Sequence, residues 1–511
     1  MSYNLIDEPW LQVQLLDAGI EQQSLCEVLV KAHHYQALVE ASPAVLPALY
    51  RLLIAFLHRA LEGPEDSEAC AALIRQGKFP EKRIRSYAEK WHDRFDLFHP
   101  VQPFYQVPDS EDKVSSVSRL AAELASGTNK LLFDHTYEDK KLALKADEAA
   151  KLLIARQMMA IPEGAGYSPS PIGGTALVLA QGKNLFETLA LNLVSYGFGG
   201  KDVYDDHPIW EQPIPKSRHI KENPSRSSKG LCDRYTWMSR IIKLHPPEDG
   251  YVKSLNYAAG LKHEAHSVDD KCDPMVAHRK DETLGILPVV FRKERGFWRD
   301  FDSMFTLTSI DKKFTYQPPK VLQHAKNVYA ELGRKEPLEI LVTGLSNDKA
   351  KVEFWRSERY FMPENLLKDS NYPPELQKML NQSQETAKSL SAACNRLAEK
   401  LLSMGERSPD KGDVRRLAQS FPALSNYWSQ LDVAFPELLE HFNSPEGVSP
   451  NLDHMRDFWL NTLKQALSEA WRLAISSSGS SAKALKAQAE AGKAFGKAVN
   501  DLKKQLSTHQ A

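Results

Sequence analysis

Residues 414–442 decide how the C-terminal part of the chain folds, and they read VRRLAQSFPALSNYWSQLDVAFPELLEHF. Their apolar residues recur at alternating intervals of three and four, which places one apolar stripe along a helix. Pro422 and Pro436 lie within this stripe, and neither has an amide donor. We therefore expect a helix to begin near Pro422 and to kink near Pro436.

Three further stripes of the same kind flank this segment, and they cover residues 380–401, 455–470 and 485–506. Met404-Gly405 is predicted to end the first of them. A serine- and glycine-rich turn at 476–481 separates the last two. Four long stripes joined by short polar turns predict an antiparallel four-helix bundle over residues 369–511.

Residues 1–368 have a different character, with frequent proline and glycine between short regular segments. The pattern predicts a buried helix over 43–61. It predicts strands within 5–16, 288–291, 304–308 and 338–343. This region is therefore predicted to be one large, loop-rich α+β domain, so that the fold class is α+β with a C-terminal helical bundle.

The overall charge excludes a protein that attracts nucleic acid through its whole surface. The 511 residues include 65 basic and 66 acidic residues, for a net charge of −1. Any polyanion site must then be a local patch. The N-terminus lacks a signal-peptide pattern, no run of 18 apolar residues predicts a membrane span, and the five cysteines are odd in number and far apart. These features predict a cytoplasmic protein.

No recognisable catalytic constellation appears in the sequence, and we expect no cofactor and no metal. His92-Asp93 is a weak sign of a metal-dependent HD-type phosphohydrolase, because that site needs further converging ligands. A structural zinc is a second alternative, although no Cys-x-x-Cys pair supports it. Its ligands would come from Cys232, His245, His263, His266, Cys272 and His278.

Two local features suit a nucleic-acid partner. Gly164-Ala165-Gly166, followed by Gly173-Gly174, allows a backbone to approach a ligand closely, although the spacing alone favours a surface turn. Residues 213–243 contain eight basic and two acidic side chains with interleaved aromatics. That segment is either a phosphate-binding surface or a solvated face.

The sequence also resembles a known family along nearly its whole length. The opening segment 3–10, YNLIDEPW, is similar to the start of the large subunit of the type I-E CRISPR surveillance complex Cascade, the CasA family. Further matches follow in the same order along the chain. They are Phe95-Asp96-Leu97-Phe98-His99-Pro100, Pro103-Phe104, Gly230-Leu231, Thr236-Trp237, Ser239-Arg240, Asp273-Pro274 and Tyr427-Trp428.

This resemblance implies recognition without catalysis. In the family, the large subunit reads a short protospacer-adjacent motif in double-stranded DNA, mainly from the minor groove, and helps the duplex to open. Guide RNA reads the remaining sequence by base pairing. The implied partners are target DNA, guide RNA, the backbone, handle-binding and small subunits of Cascade, and a recruited helicase–nuclease, with no membrane. A metal-dependent DNA nuclease and a purely structural assembly subunit remain the alternatives.

The resemblance also assigns roles to individual positions. Gly164, Ala165 and Gly166 match the family's motif-reading glycine loop. Asn129, Phe133, Asp134 and His135 match the loop toward the guide-RNA handle. Asn347, Asp348 and Lys349 match the wedge, in which Ser346, Asn347 and Asp348 are predicted to form a turn. The family typically has glutamine where Lys349 falls. Lys262 and Lys271 are the alternatives for a basic minor-groove contact.

Overall fold

A computed structural model describes most of the chain and divides it into two compact units. The described residues are 2–121, 142–164, 166–195, 205–247, 249–265, 272–293, 295–348, 351–403, 408–444 and 448–508. The first unit comprises Met1–Phe297 and Ser303–Tyr360, and the second comprises Trp298–Asp302 and Phe361–Ala511. The division thus falls at Tyr360, eight residues before the boundary predicted at 368, and a short upstream segment joins the second unit.

The strands of the first unit are short, apart from the last two. They are β1 (Leu11–Leu15), β2 (Ile20–Gln23), β3 (Tyr35–Leu38), β4 (Val114–Ser116), β5 (Ala176–Gln181), β6 (Ser225–Arg226), β7 (Arg240–Leu244), β8 (Ser254–Ala259), β9 (Lys262–His263), β10 (His278–Asp281), β11 (Gly285–Pro288), β12 (Phe314–Gln317), β13 (Leu338–Asp348) and β14 (Lys351–Met362).

The α-helices are divided between the two units, and each lies within one of them. They are α1 (Leu25–Val30), α2 (Val45–Leu61), α3 (Ser67–Gln76), α4 (Glu81–Trp91), α5 (Ala146–Met158), α6 (Leu185–Leu191), α7 (Ser217–Glu222), α8 (Leu231–Tyr235), α9 (Lys320–Glu331), α10 (Glu364–Lys368), α11 (Tyr372–Leu402), α12 (Lys411–Ser420), α13 (Ala423–Glu440), α14 (Leu452–Ser477) and α15 (Ala482–Thr508). Short 3₁₀ helices cover Ala32–His34, His92–Phe95, Val117–Leu120 and Phe297–Met304.

The first unit contains one long buried helix, α2, and several small separate sheets. Their strand orders are β2-β1-β3, β11-β10-β12, β14-β13-β5 and β4-β8-β7, and β6 pairs with β9 in parallel. Helix α2 is buried along almost its whole length, as the apolar run at 43–61 predicts. This mixed architecture with a helical C-terminal region confirms the predicted α+β fold class.

Two of the predicted strands are wrong. Residues 304–308 were expected to form a strand, but Met304 ends a 3₁₀ helix over Phe297–Met304, and of the remaining four residues Thr308 alone forms a β-bridge, with Thr315. The apolar residues Trp298, Phe301 and Met304 recur every third position, which is the 3₁₀ period. The strand expected at 288–291 instead covers Gly285–Pro288, so that Val289 to Phe291 follow it.

The second unit is built from the predicted long helices. Helix α13 begins directly after Pro422, as predicted, and it continues through Pro436 to Glu440. Helix α11 ends at Leu402, and the expected stop at Met404-Gly405 lies outside the described residues.

Two aromatic side chains in the core of this unit donate hydrogen bonds to backbone carbonyls. The Trp459 Nε1–H donates to the Met379 carbonyl at 2.9 Å, and the Tyr427 hydroxyl donates to the Ser383 carbonyl at 3.0 Å.

The segment Trp298–Asp302 contributes aromatic side chains to the core of this second unit. The Trp298 ring stacks on Phe435 with 5.1 Å between centroids, and its indole N–H donates to Asp432. The Arg299 guanidinium lies 3.4 Å from the centroid of the Trp428 ring. No helix among the described residues is both long enough and apolar enough to cross a membrane.

Candidate nucleic-acid interface

The connection between α5 and β5 contains two exposed glycines, Gly164 and Gly166. They lie within residues 161–168, which we call the glycine loop. Gly164 has φ +107° and Gly166 has φ +85°, both in the region that favours glycine. A Cβ built on either residue meets no described atom within 4 Å. Ala165, between them, lies outside the described residues. The loop therefore offers exposed backbone that another molecule can approach without meeting side chains at these two positions.

The acidic residue directly before Gly164 lies among three arginines. Glu163 accepts hydrogen bonds from Arg156 and, at 3.1 Å, from Arg240, and the Arg119 guanidinium lies 3.7 Å from its Oε2. Burial raises the pKa of Glu163, but the charges of Arg156 and Arg240 more than offset this effect and leave the pKa lowered. The base of the loop is therefore a buried cluster in which arginines outnumber carboxylates among the described residues.

The strand predicted to carry the wedge is longer than expected. Ser346, Asn347 and Asp348 do not form a turn, because β13 continues through Asp348 and β14 begins at Lys351. Extended pairing overrides their local turn preference. Only residues 349 and 350 separate the two strands, and the proposed wedge side chain of Lys349 lies outside the described residues.

The second glycine pair connects the glycine loop to this wedge strand. A Cβ on Gly173 would lie 2.0 Å from the Ala160 carbonyl oxygen, just before the loop. A Cβ on Gly174 would lie 2.4 Å from Oδ1 of Asn347. Gly173 thus requires glycine because the Ala160 backbone occupies the space of a side chain, whereas Gly174 favours glycine because its φ is +78°. The structure thus brings Gly174, which follows the glycine loop in sequence, next to Asn347, 173 residues further along the chain.

Lys262 lies on β9, two residues after Gly260, which packs against the backbone of Arg240. A Cβ on Gly260 would lie 2.5 Å from the backbone nitrogen of Arg240, which contacts Glu163. The Lys262 side chain is 56% exposed and forms an ion pair with Glu264 at 3.0 Å. The alternative Lys271 lies outside the described residues, as do Asn129, Phe133, Asp134 and His135 of the loop assigned to the guide-RNA handle.

The basic segment 213–243 does not form an open basic face. Five of its eight basic side chains have carboxylate partners: Arg218 with Glu222, Lys221 with Asp112, Arg226 with Asp233, Lys229 with Asp205, and Arg240 with Glu163. Its aromatic residues Tyr235 and Trp237 are buried. Three of the acidic partners come from outside the segment, which a count within the segment omits.

Several of the histidines and cysteines considered as metal ligands have other partners, and His266 lies outside the described residues. His92 contacts Asp7 at 2.7 Å, and this contact raises the pKa of His92. His245 contacts Ser254 and Asn256, and Cys272 contacts Gln317 at 3.1 Å. Within the described ranges, no group of three or more His, Cys, Asp or Glu residues is arranged to hold a metal ion.

Sequence reasoning missed Glu163, Arg156 and Tyr257 as parts of this region. The position of Arg240 indicated a buried arginine, because it directly precedes the apolar residues Ile241 and Ile242 in a strand. A strand arginine that becomes buried needs an anionic or hydrogen-bonding partner. The sequence does not indicate which of the 66 acidic residues supplies it.

Comparisons with known proteins agree on one family. The family model described as CRISPR-associated protein Cse1 matches residues 4–470. CRISPR-associated protein CasA/Cse1 of Thermus thermophilus is 34% identical over 526 residues, covering 99% of each chain. A crystal structure of Thermus thermophilus CasA matches with a TM-score of 0.84 and 31% identity, over 98% of this chain and 100% of that chain.

A more distant match is a chain of a CRISPR RNA-guided surveillance complex. It has a TM-score of 0.73 and 19% identity over 97% of this chain and 99% of that chain, and at this identity it shows the fold alone. The family match covers both the glycine loop and the wedge strand. The chain therefore belongs to the CRISPR-associated Cse1 family, also called CasA.

Proposed function

We propose that this chain is the large, non-catalytic subunit of a CRISPR RNA-guided surveillance complex of the Cascade type. In this role it recognises the protospacer-adjacent motif in double-stranded target DNA, promotes opening of the duplex and helps to recruit a helicase–nuclease. Its partners are guide RNA and the other Cascade subunits. Family membership supports the assignment to the complex.

One observation carries the DNA-reading part of this proposal. Gly164 and Gly166 expose bare backbone, and Gly174, eight residues after Gly166, packs against Asn347 on the β13–β14 hairpin. A backbone without side chains can enter a minor groove closely, and a hairpin beside it is suitably placed to separate the adjacent base pairs. Motif reading and duplex opening would then occur at neighbouring parts of one surface.

The decisive experiment replaces Gly166 and compares it with a matched glycine. Gly77, at the end of α3, has φ +78° and likewise no described atom within 4 Å of a built Cβ. Leucine at either position suffers the same backbone strain, about 1–2 kcal/mol. In the complex reconstituted with guide RNA, Gly166→Leu is expected to weaken binding of motif-containing target at least tenfold. Gly77→Leu should leave binding unchanged, and equal binding by both variants would contradict the proposal.

The wedge role of Lys349 requires a separate measurement. Lysine supplies a long apolar stem and a phosphate-binding ammonium, but it cannot accept a hydrogen bond as the family's glutamine can. Lys349→Ala is expected to slow strand opening more than it weakens initial motif binding. A target with a pre-melted bubble beside the motif should rescue the variant, whereas equal defects on melted and paired DNA would exclude a wedge.

The isolated chain separates this proposal from its two alternatives. With a net charge of −1, the chain alone should bind duplex DNA weakly, because phosphate neutralisation supplies most non-specific affinity. Incubation with duplex DNA and Mg²⁺, Mn²⁺ or Zn²⁺ should leave the DNA intact, and cleavage would favour a nuclease. If the chain were a purely structural subunit, the complex would assemble with either variant. Neither Gly166→Leu nor Lys349→Ala would then alter DNA binding.

A further inference from the structure

One buried side chain holds both ends of the glycine loop. The Arg240 guanidinium is fully buried and donates to the Ile161 carbonyl at 2.6 Å and to the Ser168 carbonyl at 2.8 Å. Within the loop itself, the described residues form one backbone hydrogen bond, from the Tyr167 N–H to the Gly164 carbonyl at 3.3 Å. A backbone hydrogen bond just outside the loop, from the Ser170 N–H to the Ala160 carbonyl at 2.9 Å, also joins its two flanks, and Arg240 adds a side-chain connection inside this closure.

A second connection reaches the loop through Glu163. The Tyr257 hydroxyl lies 2.9 Å and 3.1 Å from the two Glu163 oxygens, and it accepts hydrogen bonds from Arg156 at 2.9 Å and from Arg240 at 3.1 Å. One phenolic oxygen thus joins the carboxylate to both arginines. Tyr257 lies on β8 and Arg240 on β7, so adjacent strands of one sheet anchor the connection.

The residue that follows Gly166 is attached to the same group. The Tyr167 ring stacks on the Tyr257 ring with 5.9 Å between centroids and an interplanar angle of 13°. The Arg240 guanidinium lies 5.4 Å from the centroid of the Tyr167 ring. Residues 161, 163, 167 and 168 are therefore fixed to a β-sheet, whereas the two glycines between them carry no contact of this kind among the described residues.

We propose that Glu163, Arg240 and Tyr257 are positioning residues that fix the glycine loop for motif reading; we call this group the loop clamp. The inference rests on the proposed function and adds to it the residues that determine specificity. A buried charged network is an expensive way to gain stability, since apolar packing serves as well, but when fully bonded it specifies one geometry. Reading a groove by backbone approach depends on such a geometry, because small displacements alter the closest contact.

The variant Tyr257→Phe tests the loop clamp with the smallest change. It keeps the ring that stacks on Tyr167 and removes only the hydroxyl shared by Glu163 and the two arginines, while the direct hydrogen bonds from Arg156 and Arg240 to Glu163 can remain. Tyr427→Phe is the matched control, because it removes another buried hydroxyl, 3.0 Å from the Ser383 carbonyl, in the helical bundle. Both variants are assembled into the complete complex with guide RNA.

Two measurements follow the loop and its specificity. The first is the ratio of affinities for a target with the matched motif and one with a mismatched motif. We expect Tyr257→Phe to lower this ratio about tenfold, the size of a lost hydrogen bond to charged groups. The second is amide hydrogen exchange of residues 160–173 in the full chain, which should accelerate in Tyr257→Phe and remain unchanged in Tyr427→Phe.

A double variant gives a further criterion. If Glu163→Gln and Tyr257→Phe act through the same loop, their effects on the affinity ratio should be clearly less than additive. Additive effects would overturn the loop clamp, as would an equal loss of affinity for matched and mismatched targets.

The Gly166→Leu variant distinguishes failure of this inference from failure of the proposed function. If Gly166→Leu lowers the affinity ratio and Tyr257→Phe changes neither the ratio nor the exchange, the loop clamp is wrong and motif reading by the loop stands. If Gly166→Leu leaves the ratio unchanged, motif reading by this loop is wrong, and the positioning role fails with it.

Discussion

Arg51 and Arg240 are both buried in the first unit, but their guanidinium groups bind different kinds of partner. Arg51 forms a bidentate ion pair with Asp273 at 2.9 and 3.0 Å, and both side chains are 1% exposed. Its guanidinium also lies 4.1 Å from the centroid of the buried Tyr235 ring. Arg240 directs its hydrogen bonds to carbonyls at the ends of a surface loop and shares Glu163 with other arginines.

This difference separates a residue that stabilises the core from residues that shape a site. The Arg51–Asp273 pair is enclosed, and removing it should affect folding alone. The loop clamp connects a sheet to exposed backbone, and weakening it should affect specificity more than folding. Both Asp273-Pro274 and Ser239-Arg240 carried the family resemblance, so the resemblance alone did not distinguish the two roles.

The largest effect is expected from Asp273→Asn, which breaks the enclosed pair. The change leaves the buried Arg51 charge without its carboxylate partner and should lower the free energy of unfolding by about 3–5 kcal/mol. Urea unfolding of the isolated chain measures this loss. The folded fraction, assembled into the complex, should retain wild-type discrimination between matched and mismatched motifs. A selective loss of discrimination would show that the two arginines do not differ as described.

Arg240→Lys tests the other member of the comparison. Lysine keeps the positive charge but cannot donate simultaneously to the Ile161 and Ser168 carbonyls with a planar fork. We expect a smaller loss of unfolding free energy, about 1–3 kcal/mol, because hydrogen bonds are lost without stranding a carboxylate. Motif discrimination should fall in this variant. Retained discrimination, with the loop amides exchanging as slowly as in the wild type, would contradict the comparison.

Local periodicity explains how much of the fold could be predicted. The stripe at 414–442 predicted the start of α13 after Pro422, and the apolar runs at 43–61 and 338–343 predicted α2 and the first part of β13. These elements repeat one pattern over several turns or residues. The 3₁₀ helix at Phe297–Met304 spans only eight residues, so its period of three is a weak signal, and its last residue fell within a predicted strand.

Long-range charge pairing explains why the site was only partly predicted. The glycines were visible as a local motif, but Arg240 lies 77 residues from Glu163, and Arg51 lies 222 residues from Asp273. No local pattern encodes such a partner. The same limit made residues 213–243 resemble a basic patch, because Asp112, Asp205 and Glu163 approach from elsewhere.

Acid should weaken the loop clamp through Glu163. The folded-state pKa of Glu163 is lowered by Arg156 and Arg240 although burial opposes this, so the ionised carboxylate stabilises the fold. That contribution is complete above the unfolded pKa, about 4.3, and is lost as the pH falls through the lower folded pKa. The difference in unfolding free energy between wild type and Glu163→Gln should be constant above about pH 5 and shrink below about pH 4. A difference that grows on acidification would contradict the assigned direction.

The smallest effect is expected at Lys262, whose side chain is exposed, in contrast to those of Arg51 and Arg240. Its ion pair with Glu264 is exposed and contributes little to stability, so Lys262→Ala should change the unfolding free energy by less than about 0.5 kcal/mol. Lys313 is the matched control, because it is 74% exposed and also pairs, at 3.0 Å, with an acid two residues away, Asp311. If Lys262 binds a DNA phosphate, the slope of log affinity against log salt concentration should become shallower by about 0.9 in Lys262→Ala. Lys313→Ala should leave the slope unchanged. Identical slopes for both variants and the wild type would remove Lys262 from the proposed DNA interface, because a residue that neutralises no phosphate releases no counterion.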